Sequence, residues 1–442
     1  MTKAGVLIKR AALLILLVAA ASLTLDAQQQ LTAADYGRAE RFMNYNTTPL
    51  VLHSAGRATW VGDPAGERFW YRTTTEKGSE AFIVNVDGTK TPCDLPACRA
   101  SANEGGRGGG ATPRLDVRSP DGKRTAFVRE WNLWVRDVAT GRETQLTKDG
   151  IRDFGYATDN AGWTRSDRPI LVWSPDSKKI ATFQQDQRRV GEMYLVDTSV
   201  GHPALQAWKY PLPGDDTVTM IHRVVVDADS GKITRFQMPA DQHRSTLCDD
   251  LACRGGEWGD VQWSPDGSNV AFVSTARDHR HEQLRVADAA TGSIRDVLEE
   301  KAETFFESGN GAINWRYLPG SNEAIWFSER DNWGHLYLYD AKSGREKHPI
   351  TSGDWNVTQV VRVDERNRLL YFVGVGHERG RDPYFRHLYR IGMDGRNLQL
   401  LTPDDGDHDV SMSPSGRYFV DTFSKPDVAP VTQLRDASGA LV

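Results

Sequence analysis

Cysteine is scarce in this 442-residue sequence: the four present all lie in two matched stretches, TPCDLPACR at Thr91 to Arg99 and TLCDDLACR at Thr246 to Arg254. A dense disulfide scaffold is excluded. Long apolar runs are scarce too. The single candidate, Ala11 to Leu25, is about 15 residues, short of the roughly 17 to 25 that a membrane span needs. No glycine is followed two positions later by serine, so the G-x-S-x-G elbow that exposes a nucleophilic serine is missing. H-E-x-x-H and G-x-x-x-x-G-K-[ST] are missing as well, which removes the usual zinc-helix and phosphate-loop chemistries. Finally, 54 Lys and Arg stand against 59 Asp and Glu, for a net charge of −5 with the signs interleaved. That distribution supports neither a nucleic-acid stripe nor a polybasic membrane patch. No catalytic residue, metal site or cofactor follows from the residues.

What is there begins with an N-terminal targeting pattern. Lys3, Lys9 and Arg10 precede the apolar run, and Leu25-Asp26-Ala27 before Gln28 offers a small-residue cleavage point. Residues 1–27 read as a secretory signal peptide, and the chain is expected in the periplasm or outside the cell, with no membrane span after cleavage. Residues 28–45 follow as a helical segment. Thr32-Ala33-Ala34-Asp35 resembles a capping box with Asp in the Glu/Gln position, and Tyr36, Ala39, Phe42 and Met43 share one face. The expectation is a short helix laid on the rest of the fold.

Residues 46–442 repeat. Each copy opens on a Ser-Pro-Asp-Gly turn, runs into an apolar strand, and reaches a second strand ending in an Asp-x-x-Thr/Ser-Gly turn. WSPDGSNVAFVSTARDHRHEQLRVADAATGSIRDVL, from Trp263 to Leu298, is the clearest of seven copies. Thirteen tryptophans, 40 glycines and 20 prolines agree with many short strands and tight turns. A unit of three or four strands cannot bury both faces alone, and radial stacking of such units solves this. The fold class is therefore all-β, a β-propeller. The interval from Ser174 to Ser264 is nearly twice the usual one and hides either an eighth blade or one enlarged blade. After the turn at Ser438-Gly439 the chain runs three residues to Val442, where other copies run about six, so the last blade reads as cut short.

Other polar clusters point to no site. NEGGRGGGAT, from Asn103, reads as a flexible connector. His279, His281 and Glu282, and the carboxylate-rich PDDGDHD from Pro403, lack the spacing of a metal loop and read as solvated residues. The cysteines lie five residues apart within each stretch, longer than the C-x2-C of structural zinc sites, and export favours oxidation. Two local disulfides are expected, Cys93 to Cys98 and Cys248 to Cys253, each contributing about 2 kcal/mol or less because the loops are short.

LTKDGIRDFGYATDNAGW from Leu146, LVWSPDSKKIATFQQDQRRV from Leu171, KYPLPGDD from Lys209 and SERDNWGHLYLYD from Ser328 together closely resemble the N-terminal propeller of the dipeptidyl peptidase IV family of serine peptidases. The resemblance spans most of the chain from about Leu31 to Val442. It implies an eight-bladed propeller that caps a C-terminal α/β-hydrolase domain carrying the Ser, Asp and His of catalysis, none of which can be assigned here. It also implies a peptide substrate, and leaves a homodimer open. In the family an aromatic residue and a Glu-Glu pair bind the substrate's amino terminus. The matching residues here are Tyr156, Thr158 and Asp159, so one carboxylate stands where the family has two. A stand-alone periplasmic binding or scaffold propeller is the alternative reading.

Overall fold

The computed structural model describes residues 31–62, 66–96, 98, 115–158, 168–198, 201–243, 258–307 and 312–442. The segment read as a signal peptide, the glycine-rich connector, Asp159 and the second cysteine pair lie outside them. The sequence repeat becomes a series of antiparallel sheets, each built by consecutive hairpins. Seven blades are present among the described residues: Thr59–Pro92, Val117–Gln145, Phe154–Gln242, Val261–Lys301, Arg316–Pro349, Asn356–Leu400 and Asp407–Asp436. The long interval after Ser174 is filled by blade 3, which is enlarged by a hairpin, Glu192–Asp197 with Ala204–Lys209, inserted between its second and third strands. The eighth blade allowed for there, and implied by the resemblance, is not among the described sheets. Blade 7 has three strands and a single bridge, Arg435 to Leu441, at the outer position.

The turn residues act through their side chains. In each Ser-Pro-Asp turn the serine hydroxyl donates to the aspartate two positions on and accepts the amide five positions on, as in Ser264 Oγ to Asp266 at 2.6 Å and Asn269 N to Ser264 Oγ at 2.9 Å. Ser119 and Ser174 repeat both bonds. In the second turn the aspartate accepts from the hydroxyl and amide three residues on, as at Asp137 with Thr140 and Asp288 with Thr291. A strand path that reverses at every hairpin puts both turn classes on one end of the ring. The connections between second and third strands, and the crossovers between blades, therefore lie on the other end.

Adjacent blades meet in a recurring way. The inner-strand tryptophan of one blade donates to an inner-strand carbonyl of the preceding one: Trp173 to Val117 at 3.1 Å and Trp263 to Val172 at 3.0 Å. Trp60 of blade 1 makes the same bond to Ser411 of blade 7, at 3.0 Å across 351 residues. Ser411 Oγ returns a bond to Ala58, Glu67 accepts from Ser415 N, and Ala58 and Phe69 pack on Val420. The first and last blades are thus joined by the contact that joins their neighbours.

The glycine of the second turn lies against the outer strand of the preceding blade. A Cβ on Gly231 would stand 2.7 Å from the Leu146 carbonyl, and one on Gly292 or Gly344 would strike the carbonyl of Arg235 or Val297. All three have φ between 72° and 77°, as does Gly141 of blade 2, which has open space around it.

The helix forms as its capping box predicts. It spans Ala33–Glu40, with Thr32 N to Asp35 Oδ2 at 2.9 Å and Asp35 N to Thr32 Oγ1 at 3.3 Å. Its expected packing on the propeller is not observed: it buries no residue, and Tyr36, Phe42 and Met43 are exposed. A capping box is satisfied within one turn and needs no tertiary partner.

The seam between blades 4 and 5 carries buried acid. Glu282 is 2 % exposed, opposite Glu300 in register, and accepts from Thr275 Oγ1 at 3.1 Å. Glu300 is occupied by Trp326 Nε1 at 2.7 Å and Arg330 at 3.0 Å. Burial first, and then the Asp260 carboxylate, push the pKa of Glu282 well above the ordinary 4.5.

Two predictions follow from these seams. Gly141→Ala should cost about 1–2 kcal/mol for its left-handed backbone alone, and Gly292→Ala a further 1–3 kcal/mol or so for the carbonyl it strikes; urea unfolding of the two variants measures the difference. Glu282 binds its proton more tightly in the fold than in the unfolded chain, so its contribution is full below pH 4.5 and is lost as the pH rises through the raised value. Glu282→Gln should therefore be more stable than wild type at pH 8, with the gain shrinking as pH falls to 4.5, read from unfolding midpoints across that range.

Candidate functional site

Blade 3 departs from its neighbours at the wall of the central channel. Its inner position is split into two short strands, Phe154–Tyr156 and Val172–Trp173, both paired with Lys179–Asp186. The first lies opposite Gln184 to Asp186 and the second opposite Ile180 and Ala181. At the break, Ala157 takes a left-handed backbone, φ 53°, its amide donating to Phe183 O at 2.9 Å. Ile170 N returns to Ala157 O at 3.0 Å, and Thr182 Oγ1 holds Ile170 O at 2.8 Å. The interruption is pinned at its base on both sides, and Thr158 is its first residue, half-buried.

Of the three residues expected to bind a substrate's amino terminus, Tyr156 and Thr158 are described. Tyr156 does not face the channel: it is fully buried, its amide bound to Trp131 O at 2.9 Å and its hydroxyl donating to Asp149 at 2.9 Å while accepting from Arg235 at 3.2 Å. Burial and the Asp149 bond raise its pKa far above the phenol range. The burial has a plain cause. A large ring on a strand paired on the core side gains more by burial than by exposure, and the hydroxyl finds two partners there. Thr158 stands at the break, and Asp159 lies outside the described residues.

The strand leading into the break is held by charged groups. Arg188 forms a two-point pair with Asp186, at 2.9 and 2.7 Å, and its guanidinium lies 4.1 Å from the Phe154 ring centre. His222 meets the same ring edge-on at 6.1 Å, and burial followed by the Arg235 charge lowers its pKa. Asp186 and Arg188, with Thr217, Val218 and Met220, line a cavity of about 470 Å³ at this end of blade 3. The supporting residues Asp149, Gln184 and Arg235 escaped the sequence reading because their roles arise between strands far apart in the chain.

Among the other sequence candidates, the first disulfide forms, Cys93 to Cys98, with Cα atoms 6.2 Å apart. Cys98 is buried against Trp70 and Ile83, and its carbonyl accepts from Arg72. The bridge staples the crossover between blades 1 and 2; Cys248 and Cys253 lie outside the described residues. His279, His281 and Glu282 part ways: His279 stacks on Phe305 at 4.4 Å, His281 meets Glu299 at 3.1 Å, and Glu282 enters the seam. Glu282 is thus not the solvated residue expected. Nor is PDDGDHD a solvated turn. Asp404 pairs with Arg435 at 2.6 Å, Asp405 with Lys425 at 3.0 Å and Asp407 with Arg386 at 2.7 Å, while buried His408 bonds Asp421 at 2.7 Å. Asp404, Asp405 and Asp407 are each claimed by a cation while Asp409 stays exposed, and the run is tied to the last blade through Arg435 and Lys425 and to blade 6 through Arg386.

Comparison with known proteins places this arrangement. Residues 111–430 match the family model described as the dipeptidyl peptidase IV (DPP IV) N-terminal region. The chain is 27 % identical over 334 residues to probable dipeptidyl peptidase 4 of Aspergillus flavus, covering 70 % of this chain and 40 % of that protein. It is 24 % identical over 351 residues to probable dipeptidyl-aminopeptidase B of Aspergillus oryzae, covering 71 % of this chain and 36 % of that protein. Dipeptidyl peptidase 4 of Porphyromonas gingivalis has the same fold over 88 % of this chain and 49 % of its own, with a TM-score of 0.61 at 18 % identity. The chain spans about two fifths of the length of the curated relatives it matches. With a blade stack, a broken inner strand and a family match across three quarters of its length, the chain belongs to the dipeptidyl peptidase IV N-terminal region family.

Proposed function

We propose that this chain is the peptide-gating and peptide-binding propeller of an exported serine peptidase related to the dipeptidyl peptidases, acting beside a hydrolase domain that supplies the nucleophile. The interrupted inner strand of blade 3 carries the reading. The break is pinned at Ala157 and opens on Thr158, and we assign this position to the path of the peptide. Thr158 and Asp159 receive the substrate's ammonium group, and the propeller contributes no catalytic group. A stand-alone binding propeller is the second reading, favoured by the joining of blades 1 and 7 within this chain. Both readings keep the ligand at the same break.

The inserted hairpin of blade 3 suits a second copy of the chain. Among the described residues its strands pair only with each other, and Tyr194, Leu195, Val196 and Leu205 are exposed. An isolated hairpin is marginal in water, and a concentrated apolar surface marks an interaction face.

An ammonium group entering a half-buried site loses hydration that close negative charge must replace. Two carboxylates offset that loss, whereas one carboxylate beside a hydroxyl does so in part. The complete enzyme should therefore prefer free over N-acetylated peptides by about tenfold or less, or about 1.4 kcal/mol, with the preference gone in Asp159→Ala. Matched kcat/KM values decide; a preference above about a thousandfold that persists in Asp159→Ala places amine recognition elsewhere. For the hairpin, sedimentation velocity of the chain should show a dimer that Leu195→Glu converts to monomer, and a monomeric wild type overturns the assignment.

A further inference from the structure

The turn joining the second and third strands of blade 2 has two residues, Glu130 and Trp131, between the paired Arg129 and Asn132. Both carry left-handed backbone, φ 48° and 62°. That geometry suits the twist of a hairpin and is ordinarily met by Asn-Gly, because bulky side chains are strained there. The surroundings impose it. Asn132 Nδ2 donates to Glu130 O at 2.9 Å and Gly150 O at 3.0 Å, its Oδ1 accepts from Gly150 N at 2.9 Å and Thr147 Oγ1 at 3.1 Å, and Trp131 O accepts from Tyr156 N. Trp131 is nonetheless 40 % exposed.

Its position ties it to the break in blade 3. Gly155 has no left-handed backbone to explain it. A Cβ there would stand 3.1 Å from Trp131 Cβ, 3.2 Å from its Cδ1 and 3.2 Å from Thr158 Oγ1. Gly155 is the space that lets the indole lie against the strand feeding Thr158. A strained residue whose ring stays half in water, beside a candidate ligand contact, is placed for function rather than for folding.

We propose that Trp131 is a specificity-determining platform for the apolar side chain of the peptide's first residue, the residue whose amino group is received at the break beside Thr158. The inference rests on that reading of the break. Calorimetric titration of the full chain with leucyl-alanyl-alanine and glycyl-alanyl-alanine tests it. Wild type should bind the leucyl peptide about tenfold more tightly, the scale expected for covering an aliphatic side chain. Trp131→Asn, a residue suited to left-handed backbone, should bring the ratio near one while its thermal midpoint stays at or above that of wild type, and Trp131→Tyr should restore the ratio. An unchanged ratio in Trp131→Asn overturns the platform. Asp159→Ala should weaken both peptides alike and leave the ratio intact; if it weakens neither, the amine reading fails while the platform stands. Wild type that binds neither peptide overturns both.

Discussion

The bond from the Trp60 indole to the Ser411 carbonyl joins two residues 351 positions apart, and the ring depends on it and its equivalents at Trp173 and Trp263. A blade of four short strands has two faces and a few residues of width, so neither face can be buried within the blade. The core is accordingly divided among the seams. Ile180, Val224 and Val226 pack with Leu133 and Val135 between blades 2 and 3, Phe183 and Val225 with Val270 and Phe272 between blades 3 and 4, and Leu336 and Leu338 with Leu370 and Phe372 between blades 5 and 6. The indole bonds fix blade spacing at the channel, and the turn glycines fix it at the outer strands, where a single methyl group would meet a backbone carbonyl.

Regular seams leave the ends free to vary. The turn end carries the repeated serine and aspartate turns and little else. The other end carries the disulfide crossover, the apolar hairpin, the paired carboxylates of the last blade and the break in blade 3. Loops on a rigid scaffold carry function because the scaffold absorbs their cost, and the strain here is local in that sense. Glu130, Trp131, Asp153 and Ala157 all hold left-handed backbone. Trp131 O accepts from Tyr156 N, and the next residue, Ala157, donates to Phe183 O, so the strained positions are held by consecutive bonds.

Among the described residues, buried carboxylates are handled by pairing at some positions and by a held proton at Glu282. Glu323 is held at a pKa of about 2 by Arg368 and Lys347 despite its burial, and Arg435 bridges Asp404 and Asp421. Glu282 faces other carboxylates and keeps its proton instead. A carboxyl buried this way makes the seam sensitive to alkaline pH.

The sequence by itself determined the blade. Serine, aspartate and glycine at fixed offsets specify turns through bonds spanning five residues or fewer, the capping box closes within four, and Cys93 reaches Cys98 across one loop. Such interactions are legible because every partner lies within the same short window. The candidate site was legible only in part: the resemblance pointed to Tyr156, Thr158 and Asp159, but the strand break, the burial of Tyr156 and the nearness of Trp131 to Gly155 were not legible. Tertiary structure decided those, along with the joining of blades 1 and 7, the exposed helix face and the burial of Glu282. The physical reason is the same in each case. Whether a side chain is covered depends on the neighbouring blade, and nothing in its own few residues records what that blade presents.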